Sequence, residues 1–278
     1  MALKLMYITN NPDIAKIAED VGVDRIFVDM EYIGKSARQG GMNTVQCHHT
    51  VDDIKKIRKA ISKAQVMVRI NPIHRASAEY GSSKEEIDAV IDAGADLVML
   101  PYFTTVREIE DFIMLVDGRA KVFPLVESAK SVEIIDEILK VPGIDEIHIG
   151  INDLSLDLKK NFMFELLTDG TVEELCHKFK KKGIPYGFGG IGRLGKGELP
   201  AENIIKEHYR LGSTCAILSR SFCNVNSFTD IDQIRTIFTE GVREIRNLER
   251  ECEIYASYFR ENRKITIDKV QEIIEKAQ

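Results

Sequence analysis

Runs of almost continuous apolar residues recur along the chain, separated by stretches whose apolar positions return with helical spacing. The first pattern predicts strands buried on both faces, as parallel strands are. The second predicts amphipathic helices. Strands are expected at Leu3–Thr9, Arg25–Glu31, Gln65–Asn71, Leu97–Pro101, Lys121–Glu127, Glu146–Asp153, Pro185–Gly190 and Cys215–Ser221. Helices are expected between them at Pro12–Val21, Val51–Ala64, Ser82–Ala93, Thr105–Val116, Ser128–Leu139, Thr171–Lys182 and Ala201–Leu211. Asn10-Asn11 and Thr50 stand ahead of two of these, where a side-chain oxygen can satisfy orphan helix N–H groups. Eight strands alternating with helices over about 220 residues point to a (β/α)8 TIM barrel. A doubly wound open sheet would want a glycine-rich first turn, and Thr9-Asn10-Asn11-Pro12 contains no glycine.

Two segments exceed what a barrel needs. The loop Tyr32–Thr50 is long, and long loops in compact domains usually serve function. The barrel is expected to occupy residues 1–226, leaving 227–278 as a C-terminal helical extension with stretches Ile231–Arg260 and Ile267–Ala277 parted by Asn262-Arg263-Lys264. Within it Ile234, Ile237, Phe238, Val242, Ile245 and Leu248 keep helical spacing. Such a stripe must pack on this barrel or on a partner's. A neighbouring subunit, and hence a homo-oligomer, is the expectation.

Composition narrows the partners. The 278 residues carry a formal net charge of −6 without a basic block, which argues against nucleic acid. No apolar run approaches the roughly 18 residues of a membrane span, and the N-terminus has no signal-peptide pattern. The five cysteines include no CxxC pair. Reduced thiols in a cytoplasmic protein are therefore expected.

Candidate chemistry sits at the ends of the expected strands. Glu127 closes Lys121-Val-Phe-Pro-Leu-Val-Glu127, and Asp153 closes Glu146-Ile-His-Ile-Gly-Ile-Asn-Asp153. Neighbouring parallel strands lie about 5 Å apart, so the two carboxylates could share one divalent cation. Arg69, at the end of Gln65-Val-Met-Val-Arg-Ile-Asn71, reaches the same edge. Two oxygen ligands and a guanidinium suit a small substrate with a carboxylate.

Five ordered blocks, Phe27-Val-Asp-Met-Glu31, Val68-Arg-Ile-Asn71, Gly94-Ala-Asp-Leu-Val-Met-Leu-Pro101, Pro124-Leu-Val-Glu127 and Gly150-Ile-Asn-Asp-Leu-Ser155, give the chain from about Leu5 to Phe222 a resemblance to the HpcH/HpaI aldolase and citrate lyase family. The resemblance implies that Glu127 and Asp153 bind Mg2+ or Mn2+, with Co2+ and Zn2+ as further candidates. It implies that pyruvate or a related 2-oxo acid chelates that ion, that Arg69 stabilises the enolate, and that Glu31 helps order metal-bound water. A carbon–carbon lyase joining a 2-oxo acid to an aldehyde follows. So does assembly of paired barrels into hexamers.

The chain also departs from the pattern. Aldolases of this kind place a histidine just after the glutamate of the Phe27–Glu31 block, and Tyr32 stands there. A tyrosine of ordinary pKa, about 10, is a poor base at neutral pH. His48 and His49, in the following loop, are the alternative proton carriers. The run Gly34-Lys35-Ser36-Ala37-Arg38 resembles a basic loop of the CoA-thioester lyase branch, the citrate lyase beta type. Leu125, however, stands where that branch has lysine. A thioester lyase and a non-catalytic 2-oxo acid binding protein are the competing readings. Pro101 and Asn152, within their blocks, join Arg69, Arg193 and Arg220 as expected substrate contacts. The last two flank the glycine-rich run Gly187-Phe-Gly-Gly-Ile-Gly-Arg-Leu-Gly-Lys-Gly197, which invites close approach of an anionic ligand.

Overall fold

The computed structural model describes residues 2–34, 48–227, 230–254 and 258–277. Eight strands close into a barrel: β1 (Lys4–Ile8), β2 (Arg25–Asp29), β3 (Gln65–Arg69), β4 (Leu97–Leu100), β5 (Lys121–Val126), β6 (Ile147–Ile149), β7 (Tyr186–Ile191) and β8 (Cys215–Leu218). Each pairs in parallel with the next, and β8 returns to β1. The helices are α1 (Pro12–Asp20), α2 (Val51–Ala60), α3 (Ser83–Asp92), α4 (Val106–Val116), α5 (Ala129–Glu133), α6 (Ile135–Ile138), α7 (Ile151–Asp157), α8 (Glu165–Thr168), α9 (Thr171–Lys182), α10 (Ala201–Leu211), α11 (Ile231–Ile254) and α12 (Tyr258–Ala277). The expected TIM barrel with a helical C-terminal segment is therefore the observed fold.

The two-residue period of a strand sorts the side chains. Ile26, Val28, Val66 and Val68 face outward and join Ile14, Ile54 and Ile57 of the helices in one core. Met6, Phe27, Met67, Met99, Phe123, Leu125 and Cys215 face inward and fill the barrel. Below them Arg25 and Glu146, both buried, form an ion pair at 2.6 Å. Helix starts follow the sequence closely. Thr50, Ser82 and Thr105 each cap a helix reciprocally with the acid three residues on.

Four expectations need correction. The strand expected over Glu146–Asp153 stops at Ile149, and α7 begins at Ile151. Its apolar run straddles a strand and a helix, which periodicity cannot separate over so few residues. The helix expected to reach Ala64 ends at Ala60, because Ile61 turns extended. The one expected over Ser128–Leu139 is interrupted at Ile134. The extension breaks between α11 and α12, at residues 255–257, whereas Asn262, Arg263 and Lys264 lie inside α12. Asn262 is buried there and hydrogen-bonds Asn203 and Glu207 of α10. A tertiary partner makes a helix of a stretch that reads locally as a linker.

The apolar stripe of α11 is covered by the chain's own barrel. Ile234, Phe238, Val242, Ile245 and Leu248 are buried. Phe238 packs edge-on against Tyr7 of β1 at 4.8 Å and Phe222 at 5.3 Å. Glu249 accepts from the Leu3 amide at 2.7 Å. The reason for expecting this stripe on a neighbouring subunit is thereby removed. Among the described residues no helix is long and apolar enough to cross a membrane, and Cys176, Cys215, Cys223 and Cys252 are buried free thiols.

Candidate functional site

A cavity of about 860 Å3 opens at the C-terminal ends of the strands, the face on which barrel enzymes carry their chemistry. Arg69, Glu127, Asn152, Asp153, His48, His49 and Arg220 line it. Glu31, Tyr32, Pro101 and Arg193 lie behind or beside its wall. The run Lys35–Arg38 falls outside the described residues.

Glu127 follows β5 and is almost wholly buried. Its Oε1 accepts from the Tyr102 amide at 3.0 Å. Tyr102 follows Pro101 in the left-handed region, with φ 44°. That conformation is rare for a bulky residue, and here it presents an amide to a carboxylate. On the other side Gly150 makes room: a Cβ there would lie 2.9 Å from Glu127 Cβ and 3.0 Å from its Oε2. Burial pushes the Glu127 carboxyl up to about 8; Arg69 opposes this, while Glu31 and Asp153 add to it. Asp153 stands in the first turn of α7, not at a strand end, half-buried, with its Oδ1 accepting from Asn152 Nδ2 at 2.9 Å.

Arg69 ends β3 in register with Asp29 at the end of β2. Its Nε donates to Asp29 Oδ1 at 2.8 Å and its Nη2 to Oδ2 at 2.7 Å, while Glu31 Oε2 lies 3.4 Å from Nε. Burial works against the guanidinium's charge, yet Asp29 and Glu31 outweigh it and hold Arg69 well above its ordinary range. A bidentate pair fixes the plane of the fork and leaves Nη1 outside it. Phe27 supports the group from below, with its ring 5.5 Å from the guanidinium carbon.

Tyr32 is not aimed at the cavity. Its hydroxyl donates to the backbone carbonyl of His49, and its ring stacks on His48 at 5.7 Å. His49 is buried and its Nδ1 accepts from the Asp29 amide at 3.0 Å. A neutral imidazole with an accepting Nδ1 carries its proton on Nε2. His48 is exposed at the rim.

Two wall residues escaped the sequence reading. Asp29 faces inward two positions after Phe27, so the strand period was the available signal. His148 faces inward two positions after Glu146 and touches the Gly189 carbonyl at 3.3 Å. Burial pushes His148 down to about 4, which keeps the cavity floor neutral.

Among the described residues no three His, Cys, Asp or Glu side chains gather closely enough to hold a metal. Glu127 and Asp153 form a sparser oxygen set. It fits Mg2+ or Mn2+, which keep several waters and bind through one or two carboxylates plus substrate oxygens. The tension at Glu127 fits the same group, because a nearby cation would favour the ionised form that burial and like charge oppose.

Known proteins point the same way. No curated protein matches the chain significantly. The fold resembles that of an HpcH/HpaI aldolase from Desulfitobacterium hafniense, with 18% identity, TM-score 0.59, and 88% of this chain and 93% of that one covered. An HpcH/HpaI aldolase/citrate lyase family protein from Burkholderia cenocepacia shares 14% identity at TM-score 0.60, over 84% of this chain and 95% of its own. The citrate synthase SbnG shares 15% at TM-score 0.60, over 84% and 94%. At such identities these likenesses speak for the fold alone. The family's sequence model, described as HpcH/HpaI aldolase/citrate lyase, matches residues 4–165, more than half of the chain and the part that contributes Arg69, Glu127 and Asp153. The chain belongs to the HpcH/HpaI aldolase/citrate lyase family.

Proposed function

We propose that this chain is a divalent-metal-dependent carbon–carbon lyase of the aldolase type, with pyruvate or a related 2-oxo acid as its enolate component. The observation that carries the reading is Glu127: a buried carboxylate with room made for it by Gly150, beside a second carboxylate and facing a fixed guanidinium. A bound Mg2+ or Mn2+ would supply Lewis-acid polarisation of the keto oxygen. Arg69 Nη1 adds a permanent positive charge where enolate charge develops, and Asp29 keeps the fork from turning away. His49 is the proton carrier of the wall. Its backbone is held by the Tyr32 hydroxyl and its tautomer by the Asp29 amide. The position that carries histidine in related aldolases here positions a different histidine.

The test is exchange of pyruvate methyl protons with deuterium, followed by NMR. Exchange should require Mg2+ or Mn2+, stop with chelator, and collapse in His49→Gln while Mn2+ binding persists. Exchange that demands a CoA thioester would move the chain to the citrate lyase branch. Oxalate binding without any exchange would make it a 2-oxo acid binding protein. Full exchange in His49→Gln would remove that residue from the chemistry.

A further inference from the structure

The cavity does not end at Glu127 and Asp153. Its wall continues along the segments after β7 and β8, past Lys196, Ser219, Arg220, Ser221 and Asn224. All of these lie beyond residue 165, where the family match stops, so this half of the cavity belongs to the chain's own sequence. At about 860 Å3 the whole space stands in the upper part of the roughly 300–1,000 Å3 range of ligand clefts. A three-carbon acid leaves most of it unfilled.

The chemistry of the second half is basic and hydroxylic. Arg220 and Lys196 are exposed to the cavity mouth. Among the described residues neither side chain makes an ion pair, although Glu198 lines the same stretch of wall. This differs from the surface cations elsewhere, many of which are paired along their helices, as Lys84 is with Asp88 at 2.6 Å. Ser219 and Ser221 share a hydrogen bond at 2.7 Å between their hydroxyls. Whichever donates, the other keeps a proton to offer. The loop lies directly on this pair: a Cβ at Gly192 would come 2.6 Å from Ser221 Oγ, so only glycine allows the backbone this close. Cations and hydroxyl donors from the segments after strands seven and eight are what an oxyanion site in a barrel is built from.

We propose that Arg220, Lys196 and the Ser219–Ser221 hydroxyl pair form a subsite for a second oxyanion. The substrate is then an anion at both ends: a 2-oxo acid group at the Arg69–Glu127–Asp153 pole, and a carboxylate or phosphate at the opposite pole. The assignment of the first pole rests on the lyase reading. The second does not.

Calorimetric titration of the full-length protein in metal-free buffer with inorganic phosphate, and separately with succinate, tests the subsite. The wild type should bind at least one of the two. Arg220→Gln should weaken that binding about tenfold, the loss of one charge-assisted contact, and Arg220→Gln with Lys196→Gln should weaken it further. Glu127→Gln should leave it unchanged. Tighter phosphate binding identifies a phosphorylated arm, and tighter succinate binding a carboxylate arm. Both substituted residues are exposed, so melting temperatures should not move, and a thermal melt verifies it. A wild type that binds neither ion, or a double variant that binds as tightly as wild type, overturns the proposal. Because no metal or turnover enters the measurement, its failure is separable from a failure of pyruvate exchange.

Discussion

Gly150→Ala isolates the role of Glu127 without touching a charge. Gly150 sits at φ −81°, which alanine adopts freely, so the backbone offers no resistance. The new methyl would lie 2.9 Å from Glu127 Cβ, 3.0 Å from Glu127 Oε2 and 3.3 Å from Leu125 Cδ1. Ordinary carbon contacts fall at about 3.5–4.0 Å, so Glu127 must retreat by about 0.6–1 Å. It cannot swing out cheaply, because it is buried and tethered to the Tyr102 amide. Overpacking of this size costs about 1–3 kcal/mol of stability. A displacement of about 1 Å in an active-site group costs about 10²-fold in rate. The variant should therefore stay folded, bind Mn2+ more weakly in a calorimetric titration, and lose most of its pyruvate exchange. Wild-type metal affinity together with wild-type exchange in a folded Gly150→Ala protein would refute the assignment of Glu127 as a ligand.

Arg69→Lys keeps a positive charge but loses the bidentate grip on Asp29. Turnover should fall by about 10²–10³-fold with little change in Mn2+ affinity, and near wild-type turnover would reduce Arg69 to a structural partner. His148 gives a stability prediction. Its folded pKa is depressed from 6.5 to about 4 by burial, so between these values the unfolded chain binds the extra proton and stability is lost as pH falls. The loss is about 3 kcal/mol over the window. Urea unfolding at pH 7.5 and 4.5, with His148→Gln as the flattened control, measures it; equal pH dependence in both proteins would contradict the burial argument.

Period and spacing alone determined the eight strands in order, the barrel they close into, and the helix starts at Thr50 and Thr105. They also placed Glu127 and Arg69 at strand ends, because those properties depend on neighbours close in the chain. The family blocks drew Asp153 into the same site, but only the folded chain put it on a helix turn, since Ile147, Ile149 and Ile151 are equally apolar on either side of the boundary. Burial of Asn262 against Glu207, 55 residues away, and of the α11 stripe against Tyr7 and Phe222 required partners that no local window contains. Asp29 became a site residue only when barrel register set it opposite Arg69, 40 residues on. Tyr32 shows the limit most sharply. Its sequence position marks the site, while its role, holding His49 by the backbone, exists only because the two segments meet in space.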